Sequence, residues 1–206
     1  MTTKNSCGSH LIFKIVMIGD AGVGKSSLFF RVRDGQFYGD NMSTIGVDSL
    51  SKTFSVDNVK VKIILIDTAG IERFQTLTSG FYRNSHAVFL VFSVDNPVTL
   101  SNLIVWNKDV CKFAPEALRF VIGNKHDLHC GLPKQTLEQV AYTIGCECVF
   151  TTSAKTGEGI LNLLDNVCQS LVSAHNLKQY QAVNSWQEQS IHVNNGNEGR
   201  QSACCS

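Results

Sequence analysis

Apolar residues along the chain fall into short runs set between longer amphipathic stretches. Six runs have strand length: 11–18 (Leu-Ile-Phe-Lys-Ile-Val-Met-Ile), 50–56, 60–66, 86–93, 118–123 and 147–151. Between and after them, apolar spacings of three and four residues predict helices over roughly 25–33, 73–84, 98–113, 134–143 and 159–175. Strands alternating with helices require crossover connections, so the pattern predicts an α/β domain with a mostly parallel six-stranded sheet and five flanking helices. The runs 50–56 and 60–66 are joined only by Asp57-Asn58-Val59. A link that short makes a hairpin, and one edge strand is therefore antiparallel. From Asn176 onward Gln, Asn, Ser and Gly dominate without apolar periodicity, which predicts no regular structure. The expected organisation is an N-terminal extension over 1–10, one domain over 11–175 and a flexible tail over 176–206.

Composition narrows the possibilities. Of 206 residues, 43% are hydrophobic and 17% charged, the balance of an ordinary soluble domain. The formal net charge of +1 and the absence of a long basic run give no reason to expect nucleic acid as a partner. The run 11–18 is broken by Lys14 and too short to span a bilayer, so it reads as a strand of a cytoplasmic protein. Thr at position 2 excludes N-myristoylation. Cys7, Cys111, Cys130 and Cys168 are scattered, and Cys146 and Cys148 alternate along an expected strand, without zinc spacing. They are expected to be buried, reduced thiols acting as small hydrophobes.

The chemistry sits at strand ends. "GDAGVGKSS", Gly19 to Ser27, fits G-x-x-x-x-G-K-[ST] between an expected strand and an expected helix. There the backbone N–H groups of Asp20, Ala21, Gly22, Val23, Gly24, Lys25, Ser26 and Ser27 wrap an anion at a helix N-terminus. Lys25 adds a positive charge for β- and γ-phosphates, and Ser26 offers a hydroxyl to Mg²⁺. This loop specifies a nucleoside triphosphate but not the base. "GNKHD", Gly123 to Asp127, follows the strand 118–123, at the edge where open α/β sheets bind ligands. Asp127 there accepts hydrogen bonds from N1–H and N2–H₂ of guanine, whereas adenine would leave it unpaired. A site that loses a buried polar partner discriminates by on the order of 10⁴. Asn124 braces the loop, and the Lys125 stem lies along the base. "TSAK" emerges from the next strand, placing Ser153, Ala154 and Lys155 at the base with the Ala154 amide opposite guanine O6.

Together, "GDAGVGKSS", "TIGVD", "DTAG", "NKHD" and "TSAK" resemble, in content and order, the Ras-like small GTPases, most closely the Rab branch. The likeness covers residues 11 to about 175, and "ERFQTLTSGFYR", 72–83, looks like the Rab pattern after the DTAG turn. The resemblance implies the P-loop small-GTPase fold and GTP/GDP binding with Mg²⁺. It implies that Thr44 coordinates Mg²⁺ and closes on the γ-phosphate, that Asp67 holds the metal through water, and that the Gly70 amide meets the γ-phosphate. Phe37 matches the position whose ring packs on the base. Effectors, an exchange factor, a GTPase-activating protein and prenylation and GDI-type chaperones are the implied partners.

Two departures from that pattern stand out, and one further agreement with it. Ile71 replaces the family glutamine that orients the attacking water, which predicts hydrolysis slowed by about 10²-fold. Two readings follow: a slowly hydrolysing switch in vesicle traffic, or a GTP-locked scaffold without a useful catalytic cycle. The three positions that carry aromatic side chains read by Rab effectors hold Ser49, Ile66 and Phe81, so two aromatics are missing. Finally, Ala203-Cys204-Cys205-Ser206 is not a C-a-a-X box but resembles the paired-cysteine ends of Rab proteins. Two geranylgeranyl groups on Cys204 and Cys205 would attach the protein to the cytosolic face of an intracellular membrane without help from a basic patch.

Overall fold

The computed structural model describes residues 11–39, 47–68, 80–128 and 133–195. Six strands form one sheet in the order β2-β3-β1-β4-β5-β6. They are β1 (Leu11–Ile18), β2 (Asp48–Val56), β3 (Val59–Asp67), β4 (Ala87–Ser93), β5 (Leu118–Asn124) and β6 (Cys148–Thr151). All neighbours run parallel except β2, which pairs antiparallel with β3 at one edge. The hairpin turns at Asp57 and Asn58, whose φ angles of 47° and 66° match the right-handed twist of the flanking strands. Every residue of the central strand β4 is buried. This is why that run is continuously apolar: a parallel strand covered on both faces has no solvent side to alternate with.

Four helices are complete among the described residues: α1 (Lys25–Asp34), α2 (Pro97–Phe113), α3 (Lys134–Ile144) and α4 (Ile160–Asn195). The helix expected over 73–84 falls largely outside the described residues; of it, 80–82 are helical. Asn96 caps α2 by accepting from the Val98 N–H, and Pro97 occupies the first turn, where its missing N–H leaves nothing unsatisfied. Gly145 ends α3 in the left-handed conformation, with φ 64°.

The core lies on both faces of the sheet. On one side, Val16, Ile18, Leu90 and Phe92 pack with Leu100, Leu103 and Val110 of α2. The cysteines correct the sequence reading. Among the described residues only Cys168 is buried, while Cys111 and Cys148 are exposed and Cys146 lies between. Burial pushes the Cys168 thiol up to about 12, so it remains protonated and behaves as the small hydrophobe expected. Cys148 faces outward because β6 is a short edge strand with one covered face.

The chain divides into two compact units, Met1–Leu171 and Val172–Ser206. In the second, α4 continues to Asn195, where the sequence reading expected no regular structure. No glycine or proline interrupts 176–195, and Leu, Lys, Gln and Ala there are good helix formers. One turn apart, His175 and Gln179 meet at 3.0 Å. Apolar periodicity reports a packed face, and a helix without one leaves no such signature.

Candidate nucleotide-binding site

The strand order reverses at β1, which pairs with β3 on one side and β4 on the other. A crevice opens outside the carboxyl ends of strands at such a switch point. The Gly19–Ser26 loop begins there. Gly19, at φ +144°, brings its backbone against Val91, and a Cβ at that position would overlap the Val91 carbonyl. The loop delivers the chain to Gly24, the N-cap of α1, at φ +92°. No acidic residue occupies the first turn of α1, so the positive end of the helix is left for an anion. The buried Lys25 folds back over the loop: its Nζ donates to the carbonyls of Gly19 at 2.9 Å and Asp20 at 2.8 Å.

Next to this loop, a pocket of about 310 Å³ is lined by Gly24, Ser27, Phe37, Asp95, Asn124, Lys125, Asp127, Leu128, Ala154 and Lys155. Asn124, buried at the end of β5, ties three loops together. Its Nδ2 donates to Val23 O at 3.0 Å and Gly24 O at 3.3 Å, and its Oδ1 accepts from the Ala154 N–H at 3.1 Å. That last bond ties the Ala154 segment to the end of β5, and Ala154 itself lines the pocket. Asp127 is held by Ser153, whose Oγ donates to Oδ1 at 2.6 Å, and Lys155 Nζ stands 3.9 Å from Oδ2. Each carboxylate oxygen has two acceptor sites, so Asp127 retains capacity for a base edge. Ser153 is thus a support for Asp127 rather than only a wall of the pocket.

Several contributors were not found in the sequence. Asp95 lines the pocket and draws Lys125 Nζ to 3.9 Å, which holds the lysine stem along the pocket wall. Arg31 of α1 donates through Nε to Ala154 O at 2.7 Å and through its terminal nitrogens to the Lys155 and Gly35 carbonyls. Asn102 and Trp106 of α2 hold the Asp20 carboxylate. Asp95 follows the carboxyl end of β4, as the other site residues follow β1, β3, β5 and β6, and that placement was the available signal. A lone arginine on an amphipathic helix carries no comparable mark.

Thr44, Gly70, Ile71, Cys204 and Cys205 lie outside the described residues. For Mg²⁺, the donor set present is one of hard oxygens: the Ser26 hydroxyl on the first turn of α1 and the buried Asp67 carboxylate ending β3 beside Met17. That chemistry fits the ion.

Gly24 offers a direct check on the link between the two ends of the site. A Cβ there would collide with the Asn124 amide nitrogen, and the left-handed backbone strains any other residue. Gly24→Ala is expected to lower stability by about 2 kcal/mol through strain and weakened Asn124 bonds. Denaturant unfolding measures it, and an unchanged midpoint would refute the coupling.

The sheet order, the glycine loop and the lysine turned over it define a phosphate-loop nucleotide-binding α/β domain. A family model described as the Ras family matches residues 14–173. Over 168 residues the chain is 36% identical to Ras-related protein Rab-15 of Rattus norvegicus, covering 80% of this chain and 79% of that protein. It is 30% identical to Ras-related protein RABE1e of Arabidopsis thaliana over 203 residues, covering 95% and 93% of the two chains. To Ras-related protein Rab-1 of Theileria annulata it is 44% identical over 119 residues, 57% of this chain and 54% of that one. The chain belongs to the Ras family of small GTPases, in its Rab branch.

Proposed function

We propose that the chain is a GTP/GDP switch of vesicle traffic that hydrolyses GTP slowly and acts from the cytosolic face of a membrane. The observation that carries the nucleotide reading is the pocket in which Asp127, Asn124, Lys125 and Phe37 meet beside the Lys25 loop. In this reading Asp127 accepts from the guanine edge, Lys125 and Phe37 sandwich the ring, and Lys25 leaves its loop carbonyls for the β- and γ-phosphates. Ser26, Thr44 and Asp67 hold Mg²⁺, which supplies charge neutralisation at the polyphosphate when bound. The Thr44 and Gly70 segments follow the γ-phosphate, and their two arrangements are what partners distinguish.

Ile71 supports the slow-enzyme part of the reading, because its side chain has no donor or acceptor to orient water. The partner surface is proposed to differ from that of typical Rabs. Ser49 and Ile66 stand opposite one another across β2 and β3, so a serine and an aliphatic chain occupy positions given to aromatic anchors. Attachment is proposed to rest on prenyl groups at Cys204 and Cys205. Among the described residues no helix is long and apolar enough to cross a membrane.

Equilibrium binding of GTP, GDP and ATP to the purified chain with Mg²⁺ tests the reading. Tight binding of both guanine nucleotides and at least 10³-fold weaker binding of ATP are expected, within the range set by an unpaired buried carboxylate. Equal affinity for ATP, or no uptake of any nucleotide, would overturn it.

A further inference from the structure

Asp20 is an acidic residue in a loop built to hold an anion, and its carboxylate is committed elsewhere. Oδ2 accepts from Asn102 Nδ2 at 2.7 Å, and Oδ1 accepts from the Trp106 indole N–H at 2.8 Å. The two donors are one turn apart on α2 and so present themselves to the same carboxylate. Trp106 is itself partly buried against the core that contains Val16, Leu90 and Leu103. Its indole is therefore a rigid strut. Meanwhile the Asp20 backbone carbonyl is one of the two that hold Lys25 Nζ.

We propose that Asn102 and Trp106 are positioning residues for nucleotide binding: they turn the Asp20 charge away from the phosphates and fix the loop that aims Lys25. The proposal rests on the reading of this site as a guanine-nucleotide pocket. A carboxylate freed from both donors would repel the polyphosphate at short range, where little solvent screens it. Its loop would also lose the anchor that keeps the Gly19 and Asp20 carbonyls in place under Lys25. Both effects weaken binding at the phosphate end and leave the base end intact, so GDP and GTP should be affected alike.

The test is a double-mutant cycle on the full chain, read as GDP release rate by displacement of a fluorescent GDP analogue. Trp106→Phe keeps an aromatic ring against the core but removes the N–H together with the rest of the five-membered ring, and the cycle separates the lost hydrogen bond from the lost packing. The substitution is expected to speed release about tenfold, the loss typical of a hydrogen bond to a charged group. In an Asp20→Ala background, with no carboxylate to hold, the same substitution should change release by less than about twofold. Equal acceleration in both backgrounds, or none in either, would overturn the proposal, since a purely structural role for the indole does not depend on Asp20. If Trp106→Phe does not fold, Asn102→Ala enters the same cycle with the same expectation. Failure of the unsubstituted chain to bind guanine nucleotide at all overturns the underlying site reading, and this proposal with it.

Discussion

Replacing Asp127 with alanine is expected to lower affinity for GTP and GDP by on the order of 10⁴, the largest effect of any single change in the pocket. The carboxylate is oriented before any ligand arrives, by the Ser153 hydroxyl at 2.6 Å, and its side chain is only 14% exposed. A group so placed has already lost most of its contact with water and gains fully from the two donors of a guanine edge. Without it, N1–H and N2–H₂ lose the acceptor that Ser153 fixes, and the preference over ATP collapses with them. Titration with a fluorescent GDP analogue measures the effect. An affinity within tenfold of the unsubstituted chain would show that Asp127 does not read the base. Ser153→Ala should give a smaller loss in the same direction, since it removes the support and leaves the acceptor.

Ile71→Gln is expected to raise single-turnover GTP hydrolysis about 10²-fold while leaving GDP affinity unchanged. Phosphoryl transfer is governed by the placement of water and charge, and misplacing a reactant costs about that much. An aliphatic side chain fills space but cannot hold a water molecule in line. An amide at the same point supplies both a donor and an acceptor, and nothing else in the site need change. Rates measured with pre-loaded GTP separate chemistry from exchange. Equal rates for the two proteins would mean that water is positioned by some other group, and the slow-enzyme reading would fall.

Much of the architecture was legible because β4 is buried on both faces, β3 alternates along its length, and the β2–β3 turn carries residues that tolerate its backbone angles. β1 and β4 were found as apolar runs, and the Asp57-Asn58 turn marked the one antiparallel pair. The length of α4 was not legible, because a helix can rest on intrinsic propensity without an apolar stripe in its sequence. At the site, the residues that would touch a ligand directly were readable from loop motifs at strand ends. Their supports were not. Arg31, Asn102 and Trp106 act across distances in sequence that no local spacing records: Trp106 reaches Asp20, 86 positions away. The bond from the Ala154 amide to Asn124, 30 positions back, is of the same kind.

Asn124 leaves the purine end and the polyphosphate end without mechanical independence. A small molecule wedged only beneath the base, if it displaced that one amide, would slacken the Val23 and Gly24 carbonyls as well. Inhibitors aimed at the base half of the crevice would therefore reach the phosphate half without entering it.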